Sequence, residues 1–188
     1  MVVFDASMLS LLLNPKSRPP LDPSTQKPVE RVQERIEHLV SVLQEQRCKI
    51  VIPTPALSEL LVIAGEAGPE YLAELNNSAQ FKIADFDQRA AVEVAAAIRA
   101  AIDEGDKKDG ATGTWAKVKF DRQIVAIAKV EGADVIYSDD EDVARYAGRV
   151  NIKVVRTAEL PLPPPQQLDL PVSAAGDAAG KTGSEEAK

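Results

Sequence analysis

Residues 120–143 read FDRQIVAIAKVEGADVIYSDDEDV, and the order of apolar and acidic positions in this stretch decides the fold class. Ile124, Val125, Ile127 and Ala128 recur at helical spacing until Gly132 stops them. Val135-Ile136-Tyr137 then makes a short unbroken apolar run, the pattern of a strand covered on both faces. Directly beyond it stand Ser138, Asp139, Asp140, Glu141 and Asp142, which open another helical segment. A helix, a buried strand and an acidic strand end in so short a span imply strands that alternate with helices and pair in parallel.

The same grammar recurs at the start of the chain. Val2 to Phe4 reads as a buried strand, Asp5 follows it, and Met8, Leu9, Leu12 and Leu13 carry a helix to Asn14-Pro15. Residues 14–27 hold four prolines and no apolar period, so a loop insertion is expected there. A helix over 28–46 follows, with Pro28 in its first turn and Val29, Val32, Ile36, Leu39, Val40 and Leu43 as its stripe. The spacing predicts a strand over 49–52 and a helix over 56–64, capped by Thr54-Pro55 and stopped by Gly65. A short helix near 69–75 precedes a strand over 81–84. Asp87 then caps a long helix lined by Ala91, Val94, Ile98 and Ile102. Residues 105–119 read as a Gly- and Lys-rich basic loop, Asp121 as the opening of the next helix, and residues 152–155 as the last strand. The expectation is an α/β domain over 1–158, Rossmann-like, with a mostly parallel central sheet of about five strands flanked by helices. Residues 159–188 turn to Pro, Ala and Gly without periodicity and read as a disordered tail.

Composition narrows the chemistry. A chain of 188 residues with 45% hydrophobic residues is long enough for one sizeable core. No stretch approaches the roughly 20 apolar residues of a membrane span, and MVVFDASML carries no basic leader, so a cytoplasmic protein without a membrane partner is expected. The single Cys48 excludes an intramolecular disulfide and any multi-cysteine zinc site, and His38 is equally alone. A net charge of −7 argues against nonspecific coating of nucleic acid, which needs lysine and arginine to release counterions.

Asp5, Glu59, Asp121, Asp140 and Asp142 stand at strand ends or on apolar helices. Taken singly, Asp5, Asp121 and Asp142 are explained as helix N-caps. Glu59, flanked by Leu57, Leu60, Leu61 and Ile63, is either the polar edge of an amphipathic helix or a costly carboxylate that needs a cation. In open parallel sheets functional groups collect beyond the carboxyl ends of the strands, where Asp5 and Asp140 fall. Clustered carboxylates select hard cations such as Mg²⁺ or Mn²⁺, and the chain has almost no softer ligands to offer. Such a centre suits phosphodiester hydrolysis.

With these residues in order, VVFDAS, TPALSELL and FDRQIVAIAKVEGADVIYSDDEDV resemble the PIN domain, particularly the VapC-type toxin ribonucleases of type II toxin–antitoxin systems, over residues 1 to about 156. The resemblance implies a Mg²⁺- or Mn²⁺-dependent endoribonuclease using one or two ions, a hydrolase acting on ester bonds. It implies Asp5, Glu59, Asp121 and Asp140 as catalytic acids, the same four with Asp142 as metal ligands, and Ser138 as a hydroxyl for water or substrate. Asp139 competes with Asp140 for the fourth position. Ser138 and Val143 replace the family's usual threonine and aromatic residue, and the 14–46 insert is longer than small toxins carry. The resemblance further implies a homodimer and a cognate antitoxin.

Lys107, Lys108, Lys117 and Arg122, with Trp115 among them, are candidates for RNA contact, the tryptophan by stacking on an unpaired base; the blander reading is a solvated loop. Two other functions compete. A noncatalytic PIN-like module that binds RNA or protein would show degraded acid positions, and all are present. A phosphatase or receiver-type domain would want an Asp-x-Asp after the first strand, where Ser7 stands instead.

Overall fold

The computed structural model describes residues 1–165. Five short strands, β1 (Val2–Phe4), β2 (Ile50–Pro53), β3 (Phe81–Ala84), β4 (Val135–Tyr137) and β5 (Lys153–Val155), form one sheet in the order β3-β2-β1-β4-β5. Every pairing is parallel: Val3 lies opposite Val51 on one side and Ile136 on the other. The seven helices among the described residues are α1 (Ala6–Leu13), α2 (Val32–Glu45), α3 (Thr54–Ala64), α4 (Gly68–Asn77), α5 (Gln88–Asp103), α6 (Trp115–Val130) and α7 (Glu141–Arg149). None of them is long and apolar enough to cross a membrane.

Strand alternation divides the core in two. Val3, Val51 and Ile136 face a layer built from α6, α7 and the small residues of α5. Val2, Phe4, Ile50 and Ile52 face the opposite layer, where Met8 and Leu9 of α1 meet Ile36, Leu39 and Leu43 of α2. The α2 stripe is buried as its spacing predicts. Because all strands run one way, their carboxyl ends share an edge, and the chain leaves β1 toward β2 on one side and later enters β4 on the other. Asp5 and the Ser138–Asp140 run therefore flank the switch point of the sheet.

The structure corrects several boundaries. Helix α2 starts at Val32, four residues after Pro28, because Pro28 pairs with Leu21 in an antiparallel bridge and Arg31 takes a left-handed backbone with φ of 54°. Thr54 lies inside α3 rather than capping it, and its Oγ1 accepts the Phe86 N–H at 3.1 Å. The buried face of α5 keeps Val94 and Ile98 of the expected stripe but shifts by one position at its ends: Ala90 and Ala101 are covered, whereas Ala91 is exposed and Ile102 is 49% exposed. The basic loop ends early. Thr114 caps α6 through the Lys117 N–H, so residues 115–119 are helical and Val118 is fully buried. The packed chain also runs past 158: residues Thr157–Glu159 make a 3-10 turn, and Leu160 is buried while its carbonyl accepts from Arg35. The rest of the expected disordered tail, from residue 166, lies outside the described residues.

Candidate active-site cleft

The strand ends open into a cleft of about 660 Å³ lined by Asp5, Ser7, Glu59, Lys117, Asp121, Asp139 and Asp140, with Val62 and Phe120 on its rim. Asp5 leaves the end of β1 and is buried. It caps α1 through the Met8 N–H at 2.8 Å, and accepts also from the Ser7 hydroxyl at 2.7 Å and from Ser138. Burial pushes its carboxyl up to about 6 against those three bonds. Ser138, wholly buried after β4, in turn accepts the Asp140 N–H at 3.1 Å, so one hydroxyl ties the ends of the two central strands together.

Asp121 sits in the second turn of α6, too far along to cap it. It is 6% exposed, and burial pushes it up to about 6, with Asp140 and Asp142 raising it further and Lys117 opposing. Asp140 is the N-cap of α7, accepting from the Asp142 and Val143 N–H groups. Burial works against its charge, yet the Lys117 ammonium and those two amides hold it below the usual carboxylate range. Asp142 is therefore not a cap either; it lies in the first turn of α7 and pairs with Arg145. One carboxylate oxygen each from Asp121, Asp140 and Asp142 lies within 4.8 Å of the others.

Lys117 stands among these acids. Its ammonium is 2.7 Å from Asp121 and from Asp140 and 3.7 Å from Asp142. Burial opposes its charge, but the bonds to Asp121 and Asp140 hold it protonated well above the ordinary lysine range. This arrangement corrects the expectation of Lys117 as a loop residue facing RNA. The signal was present as the four-residue spacing to Asp121, which pairs side chains only if both are helical.

The remaining candidates separate. Asp139 borders the cleft, but both of its oxygens accept from Thr157, the backbone N–H and the hydroxyl, whereas Asp140 joins the other acids. Glu59 lines the cleft from α3 but is exposed, without an ion pair or hydrogen bond among the described residues, and lies outside the three-carboxylate group. Its expected place on an apolar helix face is not observed, since Leu60 takes that face and Val62 and Ile63 are themselves exposed. Arg122 is corrected more strongly. It is 4% exposed, stacked over the Tyr146 ring at 4.8 Å with Nη2 donating to the Lys107 carbonyl, and so faces the interior. Lys108 donates to the Gly113 carbonyl at 2.9 Å, and Lys107 lies over the Trp115 ring at 5.1 Å.

A five-stranded parallel sheet with acids at its switch point defines an α/β protein with a carboxylate cleft. Solved structures with this architecture include VapBC2 from Rickettsia felis bound to a DNA fragment from its promoter (14% identity, TM-score 0.54, covering 83% of this chain and 98% of that one). DNA-bound VapBC from Salmonella typhimurium (15%, 0.52, covering 83% and 97%) is a second. The sarcin-ricin loop cleaving toxin VapC20 from Mycobacterium tuberculosis (12%, 0.51, covering 77% and 93%) is a third. No family model and no curated protein matches the sequence. The chain has the VapC-type PIN-domain fold, in agreement with the resemblance carried by its motifs.

Proposed function

We propose that this chain is a divalent-cation-dependent endoribonuclease acting as the toxin of a toxin–antitoxin pair. The observation that carries the reading is the convergence of Asp121, Asp140 and Asp142 within 4.8 Å beside buried Asp5 at the sheet's switch point. The donor set fits Mg²⁺ or Mn²⁺ because it is all carboxylate, with Asp121, Asp140 and Asp142 each offering an oxygen within 4.8 Å of the others. Asp121, Asp140 and Asp142 would hold the ion, with Asp5 and Glu59 completing the acidic lining. When bound, such an ion makes an attacking water more acidic and neutralises charge on the phosphate.

The chain's own residues do the positioning. Ser138 fixes the Asp5 carboxylate and the Asp140 backbone in one register, and Asp140 is aimed by the two α7 amides it caps. Phe120 and Val62 on the rim give an apolar lip against which an unstacked base can rest. Lys107, over the Trp115 ring, is exposed and without an ion pair among the described residues, which keeps it as a basic candidate for RNA contact. An antitoxin partner is supported by the VapBC assemblies among the structural neighbours.

The test is cleavage of a structured RNA pool with Mn²⁺. The wild type is expected to cut and Asp121→Asn to lose at least about a hundredfold in rate, the scale set by removing one transition-state interaction. Undiminished cutting by the variant, or by the wild type in chelator, would sink the reading.

A further inference from the structure

Lys117 is the one basic side chain in contact with all three clustered acids among the described residues, and its place is built rather than incidental. Its stem rises from the first turn of α6, four residues before Asp121, and the Gly113 backbone closes over it. A Cβ at Gly113 would come within 3.2 Å of the Lys117 Cδ and 3.8 Å of an Asp142 carboxylate oxygen. The Lys108 ammonium pins that backbone through the Gly113 carbonyl at 2.9 Å. With Nζ 2.7 Å from both Asp121 and Asp140, the ammonium takes up the oxygens that a hard cation would need.

We propose that Lys117 is a tethered cation that competes with the divalent ion for Asp121 and Asp140, so that loading the centre requires its ammonium to leave those carboxylates. The inference rests on the cation-binding reading of the cleft. An ammonium and a divalent ion repel each other and want the same lone pairs, so both cannot hold the same two oxygens. Lys117 neutralises part of a group whose members would otherwise repel one another, and this favours the packing of three carboxylates at a strand edge. The same contact weakens the site for metal. Lys117 is thus a positioning residue whose removal raises affinity for the ion, the opposite of what loss of a ligand does.

The experiment is calorimetric titration of the full chain with Mn²⁺ at pH 7, free of RNA, comparing wild type, Lys117→Met and Lys119→Met. Lys119 lies two residues on in the same helix, is exposed, and makes no ion pair among the described residues, so it reports the general effect of removing one positive charge. Lys117→Met is expected to bind Mn²⁺ about tenfold tighter, the equivalent of one charge-assisted hydrogen bond no longer displaced, while Lys119→Met stays near wild type. Lys117→Arg, which keeps the charge, is expected to stay near or below wild-type affinity. Equal or weaker binding by Lys117→Met, or equal tightening by Lys119→Met, overturns the role of Lys117 while leaving the metal centre intact. Absence of Mn²⁺ binding in every protein sinks the metal reading itself, and this inference with it. Should Lys117→Met fail to fold, Lys117→Gln removes the same charge with a polar end and is read in the same way.

Discussion

A single carboxyl joins structure to chemistry in this fold. Asp5 is buried between β1 and α1, accepts three hydrogen bonds, and is still pushed up to about 6 because burial outweighs them. Its folded value lies above the ordinary 3.8, so the folded chain holds that proton more tightly than the unfolded chain does. Stability from this group is therefore fully present below pH ~4 and is lost as pH rises through about 6, at a cost of up to about 3 kcal/mol for a shift of that size. In chelator, the melting temperature of the wild type is expected to fall between about pH 4 and pH 6 more steeply than that of Asp5→Asn, whose amide cannot ionise. Parallel melting curves over that range would contradict the assignment. The motif-level reading weighs N-capping against function as alternatives for Asp5, whereas Asp5 caps α1 and lines the cleft at once.

At the scale of elements, α6 decides how much of the site could be read in advance. Its buried run Ile124 to Ala128 was legible as a helix from spacing alone, whereas its first turn was hidden under residues 105–119, whose glycines, threonines and lysines suit a loop. With the helix start placed at Asp121, both Lys117 and Arg122 read as candidates for RNA contact, and neither the acid cluster's internal cation nor the Tyr146 stack is visible. Strand limits fared better because short apolar runs between polar ends leave little choice: Val2–Phe4 and Phe81–Ala84 are as predicted. Only the ends of the α5 face differ from the expected stripe, because an alanine-rich helix offers several apolar stripes and packing against α6 selects Ala90 and Ala101 there while Val94 stays against the core. The position of the α6 start has a direct consequence. Thr114→Ala removes the hydroxyl that accepts the Lys117 N–H and is expected to cost about 1 kcal/mol in denaturant unfolding with an unchanged slope. A loss of only a few tenths would return residues 115–119 to a loop.

The whole molecule sets charge against its proposed substrate. A chain of net charge −7 meets a polyanion through a cleft lined by carboxylates, and the basic side chains nearest that cleft are largely spent: Lys117 on the acids, Lys108 on a carbonyl, Arg122 in the core. Lysine-driven binding of RNA weakens when divalent cations are added, because they compete for phosphate. Binding through a cation held between carboxylates and phosphate has the opposite sign. Ca²⁺ takes the same carboxylate oxygens, so millimolar Ca²⁺ is expected to raise the affinity of the chain for a short unstructured RNA, measured by fluorescence anisotropy at constant ionic strength. The gain should shrink in a protein carrying both Asp121→Asn and Asp140→Asn, which leaves Lys107 and Trp115 untouched. A fall in affinity on adding Ca²⁺ would place the RNA on the basic surface around Lys107 and Trp115 instead, and would favour a noncatalytic RNA-binding module over a nuclease for this fold.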